Sequence, residues 1–327
     1  MRNKTIKFFT DIEDQGKRLD IILSEKIPDY SRSFLKKIIE NQNVKVDNKV
    51  ISSPSKIIKA ENKIEISFKI ESQETVKPKK IKLKIIYEDN DVLIINKPSG
   101  MVVHPGAGNY TDTLVNALIY KYKKNLSNIN GPVRPGIVHR IDKETSGLLV
   151  IAKNNFSHSF LSKQFSDHTI KRTYVALVWG VLRPLNGKIK TFIQRNKKNR
   201  KLMSTSEKSG KLAITNYKTL KIFNLKNIPK ISMVKFNLET GRTHQIRVHM
   251  SYKGNNILGD KTYKKKFKSI KNVDEELAFL IKNTNRQFLH AKLIGLRHPS
   301  SGKYVEFKTN LPKDLNNILK KLRKMQN

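Results

Sequence analysis

The 327-residue sequence predicts an α+β protein in two parts: a small N-terminal α/β module, then a larger domain on a mixed, largely antiparallel sheet with flanking helices. Three observations carry this. The chain is longer than one hydrophobic core usually fills. Apolar runs of strand length, such as Gly147 to Ala152 (GLLVIA), recur among helical patterns without strict βαβ alternation. The charge also shifts, from net +6 over residues 1–80 to net +33 over residues 81–327.

In the first part, Leu19, Ile21, Ile22 and Leu23 give a helix running to about Glu25, and Ser31 is the expected N-cap of a second. Phe34, Leu35, Ile38 and Ile39 fall on one helical face, with Arg32, Lys36 and Lys37 on the other. Val44-Lys45-Val46 then alternates, Asp47-Asn48 turns and Val50 resumes, a small hairpin. Two short helices feeding a basic-edged hairpin resemble the S4-type RNA-binding domain over residues 16–66, with Gln42 and Asn48 where that domain usually has glycines. Asn tolerates the left-handed conformation such turns need. Residues 67–80, polar and charged, read as a linker to a second domain at 81–327.

That domain opens with a hairpin signal, Asp89-Asn90-Asp91 between IIY and VLIIN. Thr111 to Tyr122 and Phe156 to Phe165 have helical periodicity; strands are expected at 148–152, 171–178, 213–222, 231–238, 289–296 and 304–308, and a basic helix from Lys313.

Lys and Arg total 66 against 27 Asp and Glu, a net charge of +39, which points to a polyanionic partner. Fifty-two of the cations are Lys and, beside abundant Ile and Asn, match AT-rich coding bias; the 14 arginines are the more informative ions. No run approaches a membrane span, no apolar segment follows the basic N-terminus, and no cysteine is present, which together predict a cytoplasmic protein without membrane contact.

Two segments concentrate polar chemistry. VHRIDKETSGLLVIAK (138–153) places His139, Arg140, Asp142, Lys143 and Glu144 just before a core strand, which holds them rigidly within reach of solvent. LETGRTHQIRVHM (238–250) groups Arg242, His244, Arg247 and His249. A glycosidase needs two carboxylates across the sugar, and a metal nuclease needs several, yet residues 168–206 contain no acid and Asp274-Glu275-Glu276 reads as surface. There is no HExxH and no phosphate-binding glycine loop. A lone carboxylate among arginines remains, fit to act on a nucleotide as nucleophile or base. His104 and His298, each preceding Pro, and His139 and His244 read as structural or positioning groups.

HRIDKETSGLLVIAK resembles the signature of the RluA/RluD family of pseudouridine synthases. YEDNDVLIINKPSGMVVHPGAGN (87–109), KRTYVALVWG (171–180), GRTHQIRVHM (241–250), FLHAKLIGLRHP (288–299) and SGKYVEF (301–307) agree in order. The resemblance implies isomerisation of uridine to pseudouridine, here in large-subunit (23S) ribosomal RNA, by a monomer needing no cofactor and no metal. It implies that Asp142 is the catalytic carboxylate, Arg247 its partner, Tyr174 the tyrosine beside the base and Ile246 an apolar wall. Arg140 corresponds to the residue that enters the RNA when the target nucleotide flips out. Arg18, Arg32, Lys36 and Lys37 on the S4-type module, and Arg195, Arg200, Lys201 and Arg242 on the larger domain, are expected RNA contacts. The segment Lys261-Thr262-Tyr263-Lys264 departs from the family's usual Gly- or Pro-containing turn. Two other readings stay open: a synthase for another ribosomal or transfer RNA site, and a noncatalytic ribosome-assembly factor.

Overall fold

In the computed structural model, residues 2–27, 30, 32–70, 76–106, 108–123, 125–200, 202–225, 228–263 and 274–326 are described. The chain forms two compact units, residues 1–75 and 76–327. Among the described residues, no helix is long and apolar enough to cross a membrane.

The first unit contains β1 (Arg2–Phe9), α1 (Leu19–Lys26), α2 (Arg32–Glu40), β2 (Val44–Val46), β3 (Lys49–Ile51) and β4 (Lys63–Ile70). Its sheet runs β1-β4-β2-β3, with every pair antiparallel. Leu19, Ile22 and Leu23 of α1 pack with Leu35 and Ile39 of α2 against Ile64 and Ile66 of β4. Gln42 and Asn48 both adopt positive φ, 60° and 65°, the conformation for which a glycine would otherwise be chosen. The unit is larger than the 16–66 expected from sequence, because β1 pairs along the whole of β4 and β4 takes up residues 67–70 of the expected linker. The expected cap Ser31 lies outside the described residues.

The second unit begins with residues 77–79 pinned to its own first helix: Lys77 O accepts from Asn116 Nδ2 at 2.8 Å and Lys79 N donates to Asn116 O at 3.1 Å. Its elements are β5 (Ile85–Glu88), β6 (Val92–Lys97), α3 (Leu114–Tyr122), β7 (Ser146–Ala152), α4 (Asn155–Ser166) and β8 (Lys171–Trp179). Next come β9 (Asn186–Arg195), β10 (Met203–Ser206), β11 (Lys211–Phe223), β12 (Ile231–Leu238) and α5 (Gln245–Tyr252). The chain closes with α6 (Glu275–Thr284), β13 (Leu289–Arg297), β14 (Tyr304–Lys308) and α7 (Lys313–Gln326). One ten-stranded sheet follows the order β10-β9-β11-β12-β8-β13-β7-β6-β5, with β14 on β13. It is antiparallel except where β13 meets β7, His290 opposite Ser146 and Ala291 opposite Gly147. At that crossing a Cβ on Gly147, whose φ is +118°, would lie 2.3 Å from Ala291 O, so only glycine lets the two strands meet. The acid-free stretch 168–206 is mostly strand, with residues 196–202 joining β9 to β10.

Two core histidines make the fold acid-sensitive. Burial pushes His249 and His290 down to about 4. In the unfolded chain each imidazole takes up its proton near pH 6.5, so between that pH and about 4 the unfolded state binds more protons than the fold. Stability therefore falls as pH drops through this window, by up to about 1.4 kcal/mol per pH unit for each histidine. Urea midpoints at pH 6.5 and pH 4.5 measure this; equal midpoints would contradict the burial of neutral imidazoles.

Candidate active site

The chain turns into β7 through a short loop, residues 138–145, and that loop forms one wall of a cavity of about 480 Å³. The other walls come from Phe165, Arg172 and Tyr174 around α4 and β8, Arg242 to Arg247 at the start of α5, and Leu289 of β13. The six expected site residues Arg140, Asp142, Tyr174, Arg242, Ile246 and Arg247, distant in sequence, thus line a single space.

Asp142 is about one-fifth exposed, and its Oδ2 accepts from Arg247 Nη1 at 3.2 Å. Arg247 does not give its fork to Asp142. Nε and Nη2 instead bond both oxygens of Asp260 at 2.7 and 2.9 Å, and Asp260 also accepts from the backbone of Thr262 and Tyr263. The expectation of a lone carboxylate is therefore corrected: a second, almost fully buried acid shares the arginine, and it stands just ahead of the segment that departs from the family pattern. Burial works against both charges of the Asp260–Arg247 pair, but mutual bonding outweighs it, lowering the Asp260 pKa and raising that of Arg247.

His244 occupies the αL conformation just before α5. Tyr263 Oη accepts from Met203 N at 3.0 Å and is hydrogen-bonded to His244 Nδ1 at 2.8 Å. His244 Nε2 lies 3.9 Å from Asp142 Oδ2. Burial lowers its pKa although Asp142 opposes this, consistent with an orienting rather than a charged group. His139 stacks on Phe165 with ring centroids 4.6 Å apart and accepts from Val150 N at 3.0 Å, tying the loop to the middle of β7. Tyr174 is buried and its phenol is pushed up to about 12, mainly by burial, with Asp142 adding and Arg172 opposing. It meets a ligand at neutral pH as a phenol, not a phenolate.

The loop itself is held from below. Lys97, fully buried at the end of β6, donates to Pro98 O, Met101 O and Lys143 O at 2.7, 2.9 and 3.0 Å. Burial lowers its pKa to about 7, while three carbonyl acceptors suit the three protons of an ammonium. Arg286 reaches Glu144 O at 3.2 Å while bonding Asp314 of α7 through Nε and Nη2. Sequence reasoning missed Lys97, Arg172, Asp260, Tyr263 and Arg286; a Lys or Arg beside a core strand or an Asp after Gly259 was the available signal.

Arg140 is exposed at the rim, where Nη1 lies 3.0 Å from His104 Nε2. Arg195 and Arg200 are exposed at the β9–β10 connection and outside the cavity lining, and Lys201 lies outside the described residues. In the first unit, Lys36 and Lys37 are exposed on α2, whereas Arg18 and Arg32 converge on buried Asp20 at 3.0 and 2.9 Å. Burial disfavours the Asp20 charge, but the bonds from Arg32 and Arg18 hold its pKa below the usual value, while both arginine side chains stay about half exposed. His298, paired with Asp89 at 2.7 Å, ties the 298–301 turn to the β5–β6 hairpin.

A family model described as RNA pseudouridylate synthase matches residues 91–252, and one described as S4 domain matches residues 17–64. The chain is 43% identical over 310 residues to the ribosomal large subunit pseudouridine synthase D of Zymomonas mobilis, covering 94% of each chain. It is 39% identical to an uncharacterized RNA pseudouridine synthase of Aquifex aeolicus, again over 94% of each. The solved structure of human RNA pseudouridylate synthase domain containing 4 shares the fold at a TM-score of 0.56 and 22% identity, over 73% of this chain and 93% of that one. With that extent of identity to two pseudouridine synthases, the chain belongs to the RNA pseudouridylate synthase family, and it carries an S4 domain ahead of the catalytic one.

Proposed function

We propose that this protein isomerises specific uridines to pseudouridine in large-subunit ribosomal RNA, with Asp142 as its catalytic carboxylate. The observation that supports this most is the Asp142–Arg247 contact in a cavity of about 480 Å³ walled by Tyr174 and Ile246. Asp142 acts at the ribose, either attacking C1′ to form an ester bond that breaks again when C5 takes its place, or taking the C2′ proton and returning it at that step. The N1–C1′ bond breaks, the uracil turns, C5 bonds to C1′, the C5 proton leaves and N1 gains one. Nothing is oxidised, reduced or transferred away, so the balance requires no cofactor. A stacked uridine exposes neither C1′ nor C5, so the nucleotide must flip into the cavity, and Arg140 at the rim is placed to take its position in the RNA. Exposed Lys36 and Lys37 on the S4-type module, and Arg195, Arg200 and Lys201 on the catalytic domain, offset the unstacking cost by phosphate contacts. The large-subunit substrate follows the name of the 43% identical relative. On this reading a monomer works in the cytoplasm, with the unit of residues 1–75 as binding module and that of residues 76–327 as catalytic domain.

Mapping pseudouridines chemically in ribosomal and transfer RNA, with and without the gene, tests this. Loss of discrete sites in large-subunit RNA is expected. Loss confined to transfer RNA would reassign the substrate, and no loss anywhere would leave a noncatalytic RNA binder.

A further inference from the structure

We propose that the cavity contains a phosphate seat, built on the buried guanidinium of Arg172 together with Arg242, that holds a backbone phosphate of the flipped nucleotide. The proposal rests on the reading that the cavity takes a nucleotide.

Arg172 stands near the start of β8, 8% exposed, and lines the cavity. Its position is fixed by the protein: Nη2 donates to Glu239 O at 2.9 Å and to Leu238 O at 3.4 Å, and the guanidinium lies 5.4 Å from the Phe165 ring centre. Its charge is not matched. Nε has no partner, Nη1 makes no hydrogen bond, and no carboxylate lies within ion-pair distance, among the described residues. The other deeply buried arginines differ, Arg247 being forked onto Asp260 and Arg286 onto Asp314. Arg242, also on the cavity wall, uses Nε on Leu212 O at 2.9 Å and likewise has no carboxylate partner among the described residues.

A buried guanidinium without a counter-charge is costly to the fold, so its retention beside an open cavity points to a ligand that brings the charge. Uracil oxygens are neutral acceptors and cannot balance two guanidinium groups. A phosphodiester spreads one negative charge over two oxygens spaced to meet the planar fork of arginine. Gly241 makes the room: a Cβ there would lie 2.6 Å from Arg172 Nη1. Arg172 is on this account a positioning residue that anchors the nucleotide backbone while Asp142 addresses the sugar.

Binding of uridine, uridine 3′-monophosphate and uridine 5′-monophosphate to the full chain, followed by NMR titration, tests the seat without any turnover. The wild type should bind one monophosphate at least about tenfold more tightly than uridine. Arg172→Gln should abolish that preference without lowering the Tm, and Arg172→Lys should retain part of it. Equal binding of uridine and both monophosphates, no binding of any of them, or a preference that survives in Arg172→Gln would each overturn the seat. So would a lowered Tm with the preference intact, which is the signature of a structural arginine. Because the readout is affinity, absence of pseudouridine formation would count against the proposed function and leave this result standing.

Discussion

Asp142→Asn should keep the fold and RNA affinity while lowering pseudouridine formation by at least about 10⁴-fold, the scale seen when a reacting carboxylate or nucleophile is neutralised. The amide is isosteric, and its oxygen can still accept from Arg247 Nη1, which bonds Asp142 at 3.2 Å. What disappears is the negative charge, and with it the ability to attack C1′ or to take the C2′ proton. A transcript labelled with tritium at uridine C5 reports directly, because the isomerisation releases that hydrogen to water. Release by the Asn variant within about tenfold of the wild type would remove Asp142 from the chemistry.

Arg247→Lys carries the second large effect, and the structure changes its form. On sequence grounds Arg247 pairs with Asp142, and replacing its fork by a point charge costs activity without unfolding the chain. In the structure the fork belongs to Asp260, whose side chain is 1% exposed, and only Nη1 reaches Asp142. A lysine ammonium cannot bond both Asp260 oxygens and Asp142 at once. The expected result is a loss of about 10²-fold or more in kcat together with about 1.5–2 kcal/mol of stability, because the ammonium keeps the charge but leaves part of the buried Asp260 bonding unmade. Asp260→Asn separates the two effects. It leaves an acceptor for the Thr262 and Tyr263 amides and keeps Arg247 charged, so its activity should exceed that of Arg247→Lys. Urea unfolding and single-turnover rates on both variants check this. A fully stable Arg247→Lys protein would mean that the Asp260 bond contributes little.

Much of the fold was legible because its signals are local. GLLVIA became β7, the Asp89-Asn90-Asp91 turn joined β5 to β6, and the apolar spacing after Asn154 and Lys313 became α4 and α7. Helix α5 was not legible: its residues from Gln245 to Met250 are all buried, so no polar face marks a period. Strand β9, within the acid-free stretch, is absent from the expected strands, yet it pairs along β11 with Ile189 and Ile193 turned inward. Both failures share a cause, since burial there depends on neighbours far away in the chain.

The same division holds at the site. The sequence by itself determined which carboxylate stands before the core strand, which arginines are available among the lysines, and which family the motifs belong to, because each of these is a matter of residue type and short spacing. Only the tertiary structure decided how those charges are shared. It placed Asp260 on the fork of Arg247, set His244 between Asp142 and Tyr263, closed Lys97 beneath the 142–144 loop and left Arg172 without a counter-ion among the described residues. Electrostatic partnership depends on distances of a few ångströms and on the exclusion of water, and those exist only once segments separated by tens to hundreds of residues have packed against one another.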